Sequence, residues 1–247
     1  MDRSLFVSMS GAKETLQAQT AVSSNLANLN TTGFKADLEQ FRSMPVFGPG
    51  HPTRVYAMHE RPATDFDPGP IQTTGRELDI AIQGEGWLAV QAPDGSEAYT
   101  RRGDLKLSPE GLLLTGDDLP VLGENGPIAI PPAQKVEIAP DGTISILPLG
   151  EKPAVSVVVD RLKLVRPPVT QLVKGLDGLI RLKDGATAPA DAGVTLVSGA
   201  LEGSNVNPVA ALVEMIELAR RYELQVRMMK TAEDNADASA RLLRMGG

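Results

Sequence analysis

Ser23-Ser24-Asn25-Leu26-Ala27-Asn28-Leu29-Asn30-Thr31-Thr32-Gly33-Phe34-Lys35 joins two differently patterned parts of this chain. An amphipathic pattern runs into it from the N-terminus, and a Gly/Pro-rich, β-patterned region leaves it. Asn30, Thr31 and Thr32 resist continuing a helix, and Gly33 accepts the left-handed conformation that ends one. Phe34 is placed to pack back on the last turn. The stretch therefore predicts the C-terminal end of a helix running from Asp2 to about Asn28.

Within that helix, Leu5, Met9, Ala12, Leu16, Gln19, Ser23 and Leu26 recur at 4-3-4-3-4-3 spacing, and the opposite side carries Lys13, Glu14, Gln17 and Ser24. Such a narrow stripe suits a surface helix over a globular core or one strand of a coiled coil. A longer helix is predicted at the other end of the chain. Asn207 suits an N-cap and Pro208 the first helical position, and neither Pro nor Gly recurs before Gly246. At ~1.5 Å per residue, a helix reaching Arg244 is roughly 55 Å long. Leu212, Met215, Ala219, Tyr222, Val226, Met229, Glu233, Ala236, Ala240 and Leu243 keep a 3-4 rhythm that only Glu233 breaks, as a coiled-coil seam does. Val213, Ile216 and Leu218 broaden the apolar side of its first half.

Between the helices the character changes. Pro45 to Pro70 contains prolines at 45, 49, 52, 62, 68 and 70, which disfavours long regular structure and predicts an extended arm over 36–70. From Ile71 to Leu201 short apolar runs alternate with turns. Leu78–Ile82, Trp87–Val90, Val136–Ile138, Thr143–Ile146 and Ser156–Val159 read as strands, and Pro93-Asp94-Gly95-Ser96, Asn125-Gly126 and Asp141-Gly142 as turns. No helical pattern of crossover length separates the strands, so a parallel α/β fold is disfavoured. The expected fold is α+β: terminal helices packed as a coiled coil (1–35 and 202–247), the arm (36–70), and a mainly antiparallel β domain (71–201) inserted between them.

The bulk numbers narrow the function. The 24 glycines and 19 prolines make about 17% of 247 residues, above the roughly 12% of an average chain, which fits many turns. Aromatics at 4% imply an aliphatic core, and a net charge of −7 argues against nucleic acid as the main partner. Cysteine is absent, which excludes disulfides and thiolate metal sites. No apolar run approaches the ~20 residues of a membrane span, and no apolar h-region follows Arg3, so a cleaved secretory signal is not expected. His51 and His59 lie in the arm without a third ligand, so no metal is expected. Gly84-Glu85-Gly86 lacks the third glycine of a dinucleotide loop. Asp65 and Asp67, two apart in a Pro-flanked loop, read as solvated. Arg101 and Arg102 suit interface ion pairs or a solvated strand end equally. No catalytic site and no cofactor are expected. Two terminal helices cannot enclose a seam that is apolar on more than one side, which favours a self-assembling protein over a monomeric enzyme.

Several blocks together resemble the bacterial flagellar axial family, the proteins of rod and hook. They are Asn25-Leu26-Ala27-Asn28 with Thr32-Gly33-Phe34-Lys35, Leu78 to Trp87, Tyr99-Thr100-Arg101-Arg102-Gly103, Pro120-Val121-Leu122-Gly123, and Leu201-Glu202-Gly203-Ser204-Asn205-Val206-Asn207. They stand in family order and span nearly the whole chain. The tail Tyr222 to Asn235 and Arg42-Ser43-Met44-Pro45-Val46 resemble the proximal-rod members most, ahead of distal-rod and hook members. The resemblance implies a structural subunit of the rod in the periplasmic space. It also implies export by the flagellar type III apparatus, polymerisation through the terminal helices, and partners that are the chain itself, other rod subunits and the surrounding rings. The first and last motif blocks, Asn25 to Lys35 and Leu201 to Asn207, are then expected to serve assembly.

Overall fold

The computed structural model describes residues 4–45, 55–148 and 155–245. Two compact units are present. One comprises residues 1–28, 37–65 and 206–247, and the other residues 29–36 and 66–205. Residues 29–36 thus belong with the β-strands and 37–65 with the helices, where the sequence pattern suggests boundaries at 35 and 70.

The helical unit holds α1 (Ser4–Ala27), β1 (Asp37–Pro45), β2 (Val55–Thr64) and α2 (Pro208–Met245). Asn207 caps α2 as its sequence predicts: its Oδ1 accepts from Val209 N at 3.0 Å and Ala210 N at 3.1 Å. At 38 residues, α2 is about 57 Å long, and the 24 residues of α1 span about 36 Å. The helices run antiparallel: Gly11 faces Gln225, while Ala18 and Val22 cluster with Ala211, Met215 and Leu218. The line along which they meet is not the predicted one. On α1 the buried positions are Ser8, Ala12, Thr15, Ala18, Val22 and Asn25, whereas Leu5, Met9 and Leu16 are exposed. On α2 the inward line runs through Ala211, Met215, Leu218, Tyr222, Gln225, Met229 and Ala232. Of the residues in the predicted seam, Met215, Ala219, Tyr222 and Met229 are half-buried. Leu212, Val226, Ala236 and Ala240 are exposed, and the Leu243 side chain lies outside the described residues. On α1 small residues win the contact because its backbone approaches the larger side chains of α2 closely only where its own side chains are short; a Cβ on Gly11 would stand 2.9 Å from the Gln225 amide.

The prolines of 45–70 do not keep this segment from regular structure. β1 and β2 form a long antiparallel hairpin, with Asp37 opposite Thr64 and Pro45 opposite Val55. Proline is tolerated in such a two-stranded ribbon because every strand is an edge. Pro62 falls where the register slips between Leu38 and Gln40, so its missing N–H interrupts a ladder that is already broken. Pro49, Pro52 and His51 lie outside the described residues, as does the His59 side chain.

In the β unit the strands are β3 (Ile71–Thr73), β4 (Ile80–Gln83), β5 (Trp87–Gln91), β6 (Glu97–Thr100), β7 (Lys106–Leu107), β8 (Leu113–Leu114), β9 (Ala133–Ile138), β10 (Thr143–Pro148), β11 (Val157–Arg161), β12 (Leu164–Val165), β13 (Leu172–Lys174), β14 (Ile180–Leu182), β15 (Thr195–Ser198) and β16 (Ala200–Glu202). The largest sheet has the order β12-β5-β6-β14-β13, a second is β11-β10-β9, and the pairs β15-β4, β16-β3 and β7-β8 complete the unit. Every pairing is antiparallel, as predicted. β5 divides the interior. Leu88 and Val90 face an aliphatic core with Ile80, Leu105, Leu113, Val121, Ile128 and Ile144. Trp87 and Ala89, on the other face by the period of two, join Tyr99, Val165, Leu172 and Ile180.

Tyr99 is buried. Its hydroxyl donates to Glu97 Oε1 at 3.0 Å and accepts from Ala188 N–H at 2.6 Å. Burial pushes the phenol up to about 12 from its ordinary 10.0, with the negative Glu97 adding to the rise. Between those values the unfolded chain has lost a proton that the folded chain keeps, so stability falls as pH rises from about 10 to about 12. Urea unfolding across that range is expected to show this decline for the natural chain relative to Tyr99→Phe.

Candidate functional site: a buried ion cluster at the ends of the β unit

Three charged side chains meet inside the β unit. Glu202 closes β16, Lys35 ends the Gly33-Phe34-Lys35 segment, and Arg101 follows β6. The Glu202 side chain is 1% exposed, Lys35 2% and Arg101 3%. Lys35 Nζ lies 2.8 Å from Glu202 Oε1, and Arg101 Nη1 lies 2.8 Å from Glu202 Oε2. Gly69 N–H donates to Oε1 at 3.0 Å. The cations are held elsewhere too: Lys35 donates to the Asp67 carbonyl at 2.7 Å and Arg101 Nη2 to the Gly84 carbonyl at 2.6 Å. Trp87, the one tryptophan, lies 5.1 Å from the Arg101 guanidinium and 5.9 Å from the Lys35 ammonium, measured to the ring centroid. Its electron-rich face offsets part of the second positive charge. Phe66 meets the same ring edge-on at 5.7 Å.

Backbone contacts bring these side chains together. Gly33 N donates to the Glu202 carbonyl at 2.8 Å, Asn205 N to the Phe34 carbonyl at 3.3 Å, and Gly203 N to the Pro70 carbonyl at 2.8 Å. Asn205 accepts from Ala36 N at 2.8 Å and donates to the Asp67 carbonyl at 3.1 Å. Segments 33–36, 67–72 and 201–205 therefore lie side by side. Glycine permits this approach: a Cβ on Gly33 would stand 2.4 Å from the Arg101 carbonyl carbon, and one on Gly69 2.1 Å from the Gly203 oxygen. Gly33 has φ +67°, the left-handed conformation its sequence suggests, but α1 ends six residues earlier, at Ala27. Its conformation serves the crossing with Arg101 rather than a helix cap. Phe34, expected against the last helical turn, has Lys174 Nζ over its ring at 4.2 Å.

The remaining motif residues lie in the helical unit. Asn25 donates to the Asp37 carbonyl at 2.8 Å and accepts from Asp37 N at 2.9 Å, which ties the end of α1 to the start of β1. Leu26 and Val206 pack on the small helical core, Ala27 is exposed, and Asn28 donates to the Ser24 carbonyl at 2.9 Å. In the β unit Thr32 and Leu201 are half-buried and Ser204 is buried. Sequence reasoning missed the depth of Arg101, which is neither solvated nor at a free surface. Arg102 beside it takes a part-exposed position against Asp104 and Asp117. The spacing of Lys35, Arg101 and Glu202 along the chain carries no signal that they meet. Among the described residues no cluster of His, Asp or Glu is arranged to hold a metal.

The chain is 43% identical over 251 residues to the flagellar basal-body rod protein FlgF of Escherichia coli K12, covering 99% of this chain and 100% of the relative. The chain belongs to the flagellar basal-body rod FlgF family. It is a structural, non-enzymatic subunit of the rod. FlgF of Caulobacter vibrioides is 34% identical over 98% of both chains, and FlgG of Bacillus subtilis 31% identical over 95% of this chain and 96% of its own. Three family models match: the flagella basal body rod protein over 5–35, the FlgE/F/G D1 domain over 81–146, and the FlgEFG C-terminal region over 197–242. Each matched region supplies one member of the ion cluster: Lys35, Arg101 and Glu202.

Glu202→Gln removes the carboxylate that the two buried cations share. It is expected to cost about 3–5 kcal/mol, read as a lower urea midpoint of the purified chain. Lys35→Met leaves a one-to-one pair and is expected to cost less.

Proposed function

We propose that this subunit joins the rod through the outward faces of its two terminal helices. The helical unit then contributes to the wall of a tube enclosing the export channel. The observation that carries the reading is an inversion of size. Ser8, Ala12, Thr15 and Ala18 fill the seam within the chain, while Leu5, Phe6, Met9 and Leu16 on α1 point outward. On α2, Leu212, Val213, Ile216, Leu224, Val226 and Met228 are exposed as well. Burying a large aliphatic side chain gains roughly 1.5–3 kcal/mol, so two outward stripes favour packing against further helices. The partners are copies of this chain and other rod subunits, with the surrounding rings outside. A rod bearing torque gains from contacts along the whole length of α2. No described helix is long and apolar enough to cross a membrane. We take the periplasmic rod as the destination and the type III apparatus as the route.

Leu16 and Val226 are 47% and 41% exposed. Leu16→Asp and Val226→Asp are expected to change the stability of the isolated chain by no more than about 0.5 kcal/mol. In cells lacking the natural copy they are expected to abolish complete rods and swimming, seen by imaging basal bodies. Normal rods with both substitutions would remove the outward stripes from the assembly. Ala18→Asp, at a buried seam position, should instead destabilise the isolated chain.

A further inference from the structure

We propose that Asn125 is a site of spontaneous deamidation, its side chain converting to aspartate and isoaspartate through a cyclic imide with Gly126. Asn125-Gly126 is the one Asn-Gly pair in the sequence. Asn125 is exposed, and the space where a Cβ would project from Gly126 is open. The Gly126 N–H donates no hydrogen bond among the described residues, while its carbonyl accepts from Gly123 N at 2.7 Å. The nucleophilic nitrogen and the amide it attacks are therefore adjacent, accessible and uncommitted. The other asparagines are protected in specific ways. Asn25 and Asn205 use both side-chain atoms in hydrogen bonds. Asn207 precedes a proline, whose nitrogen carries no proton to lose. Asn28, Asn30 and Asn235 precede Leu, Thr and Ala, whose side chains crowd ring closure, and Asn235 lies within α2.

The backbone nitrogen of Gly126 bonds to the side-chain carbonyl carbon of Asn125. The bond from that carbon to the side-chain nitrogen breaks, and ammonia leaves with the proton from Gly126. Water then adds at either imide carbonyl and opens the ring to aspartate or isoaspartate. Either product adds a negative charge to the chain, and isoaspartate also places one extra carbon in the backbone. The turn has little slack for it, since Leu122 pairs with Pro127 across it and the adjoining Val121 and Ile128 are wholly buried.

The test incubates the folded full chain at mildly alkaline pH and maps its peptides by mass spectrometry. The Asn125 peptide is expected to gain one mass unit before any other asparagine peptide and to split into two chromatographic forms. Its isoaspartyl form accepts methyl groups from a protein isoaspartyl methyltransferase, and Asn125→Gln removes both signals. The rate falls with falling pH, because closure needs the deprotonated Gly126 nitrogen. Retention of the Asn125 amide while another asparagine converts overturns the proposal, as does conversion that appears only in urea.

Discussion

One carboxylate, that of Glu202, has to be neutralised where water does not reach. An ionised carboxylate at 1% exposure persists only if charge partners and donors surround it. Lys35, Arg101 and the Gly69 N–H supply them from three distant parts of the chain. Removing the Glu202 segment takes away the carboxylate that Lys35 and Arg101 share, and removing either cation takes away one of its ion pairs, so the three segments hold their places together. Chain connections between the units fall between 36 and 37, 65 and 66, and 205 and 206, in addition to 28 and 29. Three of those four points lie within a few residues of Lys35, Asp67 or Asn205. The β unit thus gathers its own chain ends around one cluster.

The helical unit uses a different constraint. Its seam is built on the α1 side from small and short polar side chains, which meet Met215, Leu218, Tyr222 and Met229 of α2. α1 thus leaves its large residues Leu5, Phe6, Met9 and Leu16 on the outside. The Asn25–Asp37 clasp and the Asn207 cap set where its elements begin and end without adding apolar area. Polar motif residues in both units therefore act within the chain, and apolar side chains on the outward helix faces stay exposed.

Local rules in the sequence determined much of this protein. Asn207-Pro208 started α2 because capping is a contact between residues two and three apart. The period-two runs and Gly-containing turns between residues 71 and 201 specified antiparallel strands because pleat and turn are local as well. The motif blocks, read in order, placed the chain in the rod and hook family. Tertiary structure alone decided three things. The helices meet along Ser8-Ala12-Thr15-Ala18 rather than Leu5-Met9-Leu16, because interhelical distance depends on both partners and periodicity describes one. The Pro-rich 37–64 segment forms a hairpin, because a strand needs a partner whose register can absorb Pro62. Lys35, Arg101 and Glu202 meet in one buried cluster, because the approach of residues up to 167 positions apart depends on how whole segments pack.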